Sequence, residues 1–167
     1  NGILFKTAVA LEEAGKTEIV VLDKTGTITS GEPVVTDILP AESFTEGELL
    51  ELAYALEQKS EHPLAKAILK EANNRGIVAK NVAKFQALPG NGLKAVLEER
   101  NLLGGNYAFI SSQVQIPIEL DNRSKQLALA GKTPLFFAYD GKPAGIIAVA
   151  DTVKEDSARA VKELQGM

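Results

Sequence analysis

The chain has 167 residues, of which 45% are hydrophobic and 24% are charged, as in an ordinary soluble globular protein. Its formal net charge of −4 argues against a nucleic-acid-binding surface, and no apolar run approaches the ~18 residues that a membrane helix needs. The absence of cysteine excludes disulfides, thiolate metal sites and cysteine nucleophiles, and the single histidine, His62, cannot form a histidine-rich metal cage.

The first predicted elements are a helix and a buried strand that ends on an aspartate. Residues 3–14 carry apolar side chains at helical spacing, and Gly15 predicts the end of the helix. Residues 18–22 are mostly β-branched and aliphatic, which predicts a buried strand. Asp23 follows directly, before a turn rich in threonine and glycine. An ordinary turn explains this pattern, and so does a reactive carboxylate held at the rim of a sheet.

The middle of the chain predicts helices and short strands in alternation. Residues 34–39 read as a strand that Pro40 ends, and 45–58 carry one apolar stripe at helical spacing. Pro63 suits the first turn of a second helix that runs to about Asn74. The elements predicted after it are strands at 82–88, 93–98 and 101–104, a helix at 118–130, a hairpin of 134–139 and 144–150 around Asp140-Gly141, and a helix at 154–165.

The order of these elements predicts an inserted domain. The outer pieces are too short to form a core alone, and together they suit one α/β layer. We therefore expect residues 1–32 and 144–167 to belong to an outer α/β domain that is cut short, with a compact inserted domain at 33–143. Segments near 30–34 and 141–145 are rich in Gly and Pro and are predicted to be the hinges between them.

Two predicted strands end on aspartates, Asp23 and Asp151. Ligands bind at the carboxyl ends of strands in parallel α/β sheets, so this pair suggests a site at one sheet edge, although two unrelated turn residues would give the same pattern. A carboxylate can attack a phosphoryl group to form an acyl phosphate. Because two anions must then approach each other, Mg²⁺ and hydrogen-bond donors are needed, and Thr25, Gly26 and Thr27 can supply hydroxyls and backbone N–H groups.

The segment DKTGTIT, residues 23–29, resembles the phosphorylation motif of P-type ATPases. The resemblance implies that Asp23 takes the γ-phosphoryl group of ATP, and that Mg²⁺ is held by the Asp23 carboxylate and the backbone carbonyl of Thr25. Related phosphatases of the haloacid dehalogenase-like superfamily carry a second aspartate two places after the nucleophile, where this chain has Thr25. Threonine cannot serve as a general acid or base near neutral pH, so we expect a long-lived acyl phosphate, as a pump requires.

A second constellation lies in ALEQKSEHPLAKAI, residues 55–68. Glu57 near the end of one helix and His62 before the next would flank one crevice, where a carboxylate can accept from an adenine amino group and an imidazole can stack on a purine. A lone histidine is, however, more often structural. SEHPLAKAI resembles the signature of heavy-metal-transporting P-type ATPases, which implies that His62 orients ATP and that Glu57 contacts adenine. Glu61 then complements the N-terminus of the following helix.

The third motif is PGNGLKA, residues 89–95. Alone it is equally well explained by a tight turn, and a dinucleotide-binding fingerprint is rejected because Ala95 stands where the third glycine would be. The resemblance to heavy-metal pumps implies that Gly90 and Gly92 lie against the nucleotide and that a later pair, Gly105-Asn106, completes the pocket. Glycine suits such a wall because a side chain would hold the backbone away from the ligand.

The resemblance covers nearly the whole chain. Residues 145–164 look like the return into a phosphorylation domain, with Asp151 and Lys154 matching a hinge motif. The implied fold is α/β: a truncated haloacid dehalogenase-like, Rossmann-like phosphorylation domain at 1–32 and 144–167, and an inserted α+β nucleotide-binding domain at 33–143 whose antiparallel sheet is flanked by helices.

The function implied by the resemblance is that of the cytosolic ATP-binding and aspartyl-phosphorylation segment of a membrane-bound pump that exports a soft metal ion, with copper(I) favoured. ATP and Mg²⁺ are the implied cofactors. The implied partners are transmembrane and actuator domains of the same polypeptide, with the transported ion bound outside this segment and no nucleic acid. Two alternatives stay open: a nucleotide-binding module without turnover, and a small phosphatase, which Thr25 disfavours.

Overall fold

The computed structural model describes residue 4 and residues 6–166. Its centre is a six-stranded antiparallel sheet with the strand order β1-β6-β5-β4-β3-β2. The strands are β1 (Thr29–Pro40), β2 (Ala83–Leu88), β3 (Gly92–Leu97), β4 (Arg100–Gly105), β5 (Thr133–Tyr139) and β6 (Lys142–Val153). The helices are α1 (Ala8–Ala14), α2 (Glu46–Glu57), α3 (Pro63–Asn74), α4 (Tyr107–Ser111), α5 (Ile118–Leu129) and α6 (Ser157–Gln165). The predicted antiparallel sheet with flanking helices is confirmed.

Helices cover both faces of the sheet because neighbouring strand residues point in opposite directions. Phe137 and Ile147 pack with the helix pair α2 and α3, whereas Phe136 and Ile146 pack with α4 and α5 on the other face. All four side chains are almost fully buried, and each contributes about 1.5–3 kcal/mol of hydrophobic free energy. The sheet is therefore a rigid base for the loops at its rim.

The hairpin of β5 and β6 around Asp140-Gly141 is confirmed. Residues 142–145 belong to β6, and Gly145 pairs with both Phe137 and Pro40, so the prediction of a hinge at 141–145 is wrong. The other predicted hinge, 30–34, coincides with a register shift between Thr29 and Pro33. The division of the chain into two domains stays a prediction.

The prediction of a strand at 18–22 is wrong. Residues 17–23 join no strand, and Ile19 and Val21 are 81% and 89% exposed. A strand that is apolar on both faces is stable only when both faces are covered, and no other part of the described chain pairs with this segment. The helix predicted at 3–14 begins at Ala8, where the Thr7 hydroxyl caps it, and residues 3 and 5 lie outside the described residues.

Strong local signals define the helix pair α2 and α3, which carries part of the site. Thr45 and Glu48 form a capping box at the start of α2, and Pro63 occupies the first turn of α3. The loop between the helices is tied to the segment before β2, since the side chains of Gln58 and Lys59 donate hydrogen bonds to backbone carbonyls, at 2.6 and 3.1 Å. In the described residues no helix has the length and apolarity required to cross a membrane.

Candidate functional site

Asp23 begins an exposed wide turn over residues 23–28, named here the Asp23 loop. Inside it, Thr25 (φ −76°, ψ 121°) and Gly26 (φ 75°, ψ −11°) have the angles of a type II turn, which requires glycine at the second position. Asp23, Thr25 and Thr27 are all exposed to solvent. The predicted nucleophile is thus presented by a turn and not, as expected, by the end of a sheet strand.

Hydrogen bonds of Thr29, which is only 2% exposed, hold the Asp23 loop in place. Its hydroxyl lies 2.9 Å from the Lys24 carbonyl, contacts the Asp151 carboxylate, and accepts from the Gly26 N–H at 3.2 Å. These contacts connect both arms of the loop to β6. Sequence reasoning missed this role of Thr29, although its place at the end of the segment DKTGTIT was a signal for it.

Lys154 and Ser157 also hold the Asp23 loop, through hydrogen bonds to its backbone carbonyls. The Lys154 ammonium donates to the Gly26 carbonyl at 2.9 Å, and its backbone N–H donates to the Ile28 carbonyl at 3.0 Å. The buried Ser157 hydroxyl also donates to Ile28, at 2.8 Å. The predicted hinge residue Lys154 is therefore a direct partner of the loop, and Ser157 is a second partner that sequence reasoning missed.

Asp151 organises the segment that follows the Asp23 loop. Its carboxylate accepts hydrogen bonds from Thr29, from the Ser30 hydroxyl at 3.2 Å and from the Gly31 N–H at 2.9 Å. The Thr29 hydrogen bond is the largest cause that lowers the pKa of Asp151 below its ordinary value of 3.8. Asp151 lies inside β6, which is antiparallel to β1, so the expectation of two parallel strands that end on aspartates is wrong.

Replacing Asp151 with asparagine is expected to loosen residues 29–31, because an amide offers one acceptor oxygen where the carboxylate offers two. Amide hydrogen exchange at Gly31 should accelerate about tenfold, the effect of losing one hydrogen bond. Because the pKa of Asp151 is lowered by folding, this restraint is present at neutral pH and is lost as the pH falls below 3.8. Asp156→Asn, nearby and without a capping hydrogen bond, is the matched control; equal exchange rates in both variants would contradict the role of Asp151.

The oxygen donors of the Asp23 loop suit a hard cation. The exposed carboxylate of Asp23 and the carbonyl of Thr25 are of the kind that Mg²⁺ prefers, and Mg²⁺ usually keeps several waters or phosphate oxygens as further ligands. Residue 4 and residues 6–166 contain no group of three or more His, Asp or Glu side chains that could hold a metal ion. These residues thus fit a partial shell for Mg²⁺ and not a complete protein cage.

A cavity of about 650 Å³ lies between the α2–α3 loop, the β2–β3 turn and the end of β4. Apolar side chains form much of its wall, and its volume is in the usual range for small-molecule sites. The structure brings all of the predicted nucleotide-binding residues together around this cavity: Glu57, His62, Gly90, Gly92, Gly105 and Asn106. Their roles as ligand contacts stay predictions.

His62 sits at the mouth of this cavity as the N-cap of α3. Its Nδ1 accepts a hydrogen bond from the Leu64 N–H at 3.2 Å, so in the neutral ring the proton belongs to Nε2. Its own N–H donates to the Ser60 hydroxyl at 3.3 Å. These bonds hold an exposed imidazole beside the cavity.

Glu57 lies at the inner wall of the cavity, where it is only 7% exposed. Burial raises the pKa of its carboxyl from 4.5 to about 7, against the opposing effect of a hydrogen bond with Ser60. A residue that the sequence presents as an ordinary helical glutamate is therefore a mixture of neutral and ionised forms near neutral pH.

Glycine occupies these positions of the cavity wall for two different structural reasons. A Cβ atom on Gly92 would lie 2.1 Å from the Gly104 carbonyl oxygen, and one on Gly105 would lie 2.4 Å from the Asn91 carbonyl oxygen. Both are thus required by the close approach of two backbones, which corrects the expectation that ligand access explains every glycine. Gly90 differs: it has φ 77°, and a Cβ there would meet no atom within 4 Å.

Asn106 joins the two glycine-containing segments. Its Nδ2 donates to the Gly90 carbonyl at 2.9 Å, its backbone N–H donates to the Asn91 carbonyl at 3.0 Å, and its Oδ1 caps α4 through the Phe109 N–H at 2.8 Å. Helix α4 was not predicted because it is too short for a periodic signal. The structure therefore adds to the expected place of Asn106 in the pocket the hydrogen bonds by which it shapes the cavity wall.

The chain is similar in sequence to a known protein family and to P-type ATPases. A model of the haloacid dehalogenase-like hydrolase family matches residues 17–167. A copper-exporting P-type ATPase of Staphylococcus epidermidis is 40% identical over 168 residues, which cover 100% of this chain and 20% of that ATPase. The chain thus spans about a fifth of the length of the curated relatives it matches.

Solved structures of P-type ATPases are also similar to this chain. The crystal structure of a zinc-transporting PIB-type ATPase superposes with a TM-score of 0.76 at 36% identity, over 86% of this chain and 23% of that one. The N-domain of a copper-transporting P-type ATPase superposes with a TM-score of 0.57 at 26% identity, over 71% of this chain and 99% of that one. About seven-tenths of this chain is therefore similar to a unit that has been solved as a separate domain.

Proposed function

The chain belongs to the haloacid dehalogenase-like hydrolase family, and from that premise we propose that it is the ATP-binding and aspartyl-phosphorylation segment of a P-type ATPase that exports a heavy-metal ion. ATP binds in the 650 Å³ cavity, and Asp23 receives its γ-phosphoryl group. The remaining parts of the pump, transmembrane and actuator domains, belong to the same polypeptide, so this segment is cytoplasmic and the transported ion binds elsewhere.

The observation that carries the proposal is the convergence around one cavity. Glu57 and His62 come from the α2–α3 region, Gly90 and Gly92 from the β2–β3 turn, and the pair Gly105-Asn106 from the end of β4. These pieces are far apart in sequence, and an apolar cavity with a few polar groups is what a purine requires. The imidazole of His62 supplies the stacking face.

The chemistry proposed for Asp23 is an in-line displacement. One carboxylate oxygen attacks the γ-phosphorus, the bond from that phosphorus to the bridging oxygen breaks, and ADP leaves. The reacting atoms must come within about 3–3.5 Å, so the nucleotide has to be carried to the Asp23 loop. Bound Mg²⁺, held by Asp23 and the Thr25 carbonyl, would neutralise charge on the phosphates. Thr25 offers no general base for rapid hydrolysis, so the acyl phosphate persists.

Copper(I) is the favoured cargo. Curated relatives from Staphylococcus epidermidis, Rhizobium meliloti and Bacillus subtilis, which match 98–100% of this chain at 38–40% identity, are named copper-exporting or copper-transporting ATPases. One structural relative of 36% identity is named zinc-transporting. Since selectivity is set by ligands outside this segment, metal-stimulated ATPase activity of the complete polypeptide, compared for copper(I), silver(I), zinc and cadmium, tests this part of the proposal.

Replacing His62 is expected to weaken ATP binding by about 1–3 kcal/mol, the range for losing a base–aromatic stack. His62→Asn is the sharpest variant, because asparagine preserves the N-cap of α3 and removes only the ring; His62→Gln should behave alike. Isothermal titration of the chain with ATP measures the effect. Asp23→Asn is the control and should bind ATP like the unaltered chain. Equal affinity in the His62 variants would contradict the assignment of the cavity.

A further inference from the structure

We propose that Glu57 binds the adenine base as a neutral carboxylic acid, so that ATP binding is coupled to the uptake of a proton. This inference rests on the proposed function, because it names how the same cavity recognises its ligand. It assigns to Glu57 a protonation state, and to the segment a pH-dependent affinity.

The position of Glu57 in the fold disfavours an ionised side chain. It is the last residue of α2, where the carbonyl end of the helix carries partial negative charge. It is also 7% exposed, and apolar residues such as Leu64, Leu93 and Leu135 share the cavity wall with it. Burial and the helix end act in the same direction, and both favour the neutral acid.

The charged neighbours do not reverse this preference. On the α2–α3 loop, Lys59 directs its ammonium to the Val82 carbonyl at 3.1 Å, Glu61 is exposed and of like charge, and His62 caps α3. The described residues that strands β2 to β5 contribute to the wall carry no ionisable side chain. A hydrogen bond with Ser60 lowers the pKa of the Glu57 carboxyl, but burial outweighs it and raises that pKa to about 7.

The chemistry of adenine makes the protonation state matter. The edge of adenine presents the N6 amino group as a donor beside N1 as an acceptor. A neutral carboxylic acid matches both, since its O–H donates to N1 and its carbonyl oxygen accepts from N6. An ionised carboxylate can only accept, so one of its oxygens would face the lone pair of N1. A carboxyl with a pKa near 7 therefore binds adenine best below that pH.

The test is isothermal titration of ATP into the chain from pH 6 to pH 8, with Glu57→Gln as the matched variant. The amide of glutamine has the same donor and acceptor pair and does not titrate. The affinity of the unaltered chain should fall about tenfold more than that of Glu57→Gln across this range, since the neutral fraction falls by about that factor. Titrations in buffers of different ionisation enthalpy should show uptake of up to about one proton at pH 8.

Controls separate Glu57 from other titrating groups. The ATP phosphates and every side chain other than residue 57 are common to both proteins, so the difference between the two isolates Glu57. Glu61→Gln should keep the pH profile of the unaltered chain. With 1-deaza-ATP, whose base lacks the N1 acceptor, the difference between the unaltered chain and Glu57→Gln should disappear.

A second measurement needs no ligand. Because the pKa of Glu57 is raised by folding, its contribution to stability is fully present below 4.5 and is lost as the pH rises through about 7. Thermal unfolding should therefore show the chain losing stability relative to Glu57→Gln across that window.

Parallel pH profiles, or weak ATP binding by Glu57→Gln at every pH, would overturn the inference while leaving the proposed function intact. Parallel unfolding curves would overturn it as well. A chain that does not bind ATP at any pH would overturn both.

Discussion

Replacing Asp23 with asparagine is expected to abolish the transfer of phosphate from ATP to the protein and to leave ATP affinity unchanged. An amide is a very poor nucleophile, so the yield of phosphoenzyme should fall by at least about a thousandfold. The exposed position of Asp23 on its turn means that the substitution leaves the cavity untouched. The measurement is acid-stable labelling of the complete polypeptide by ATP labelled at the γ-phosphate.

Asp156→Asn is the matched control for that experiment, because it removes one carboxylate on the segment that packs near the Asp23 loop and should retain labelling. Labelling that survives in Asp23→Asn would contradict the assignment of the nucleophile. ATP binding without any labelling of the unaltered polypeptide would favour the binding-module alternative. Rapid release of phosphate from small phosphoesters would favour the phosphatase.

Replacing Gly105 with alanine is expected both to destabilise the fold and to distort the wall of the cavity. The new Cβ would lie 2.4 Å from the Asn91 carbonyl oxygen and 2.9 Å from the Gly92 Cα, and both are backbone atoms that cannot move aside without separating β3 from β4. Overpacking of this kind costs about 1–3 kcal/mol or more, so the free energy of unfolding should fall by at least that amount. ATP affinity should fall with it, since the β2–β3 turn is displaced.

Chemical denaturation and ATP titration measure the two effects of Gly105→Ala. Gly47→Ala is the control: the first turn of α2 has room for a methyl group, whose Cβ would approach only the Thr45 hydroxyl, at 4.0 Å. Alanine there should leave stability unchanged or slightly raise it. A Gly105→Ala protein as stable as the control, with unchanged ATP affinity, would contradict the close-packing explanation for the glycine.

Periodicity, caps and turn residues predicted most of the helices and strands, because those signals are local. The helix predicted at 45–58, observed as α2, and the turn at Asp140-Gly141 are examples in which sequence and structure agree. The aliphatic segment 18–22 shows the limit of such signals. Its composition is that of a buried strand, but burial depends on partners that the segment does not encode, and in this structure it is exposed.

The candidate site was predictable to the extent that each residue belonged to a motif. Motifs identified Asp23, Glu57 and His62, and spacing on the α2–α3 pair was enough to place the last two at one crevice. The packing role of Gly105 was not predictable, because it follows from the register between β3 and β4. The contacts of Thr29 with Asp151 likewise join positions that only the folded chain brings together.

Amide chemical shifts of the chain during titration with a non-hydrolysable ATP analogue test the central claim most directly. The largest perturbations are predicted on the segments that wall the cavity, residues 57–62, 89–92 and 105–106, with saturation at one nucleotide per chain. Perturbations confined to other surfaces, such as α5 or the small cavity beside Lys94 and Gln113, with the signals of 57–62 unchanged, would contradict it.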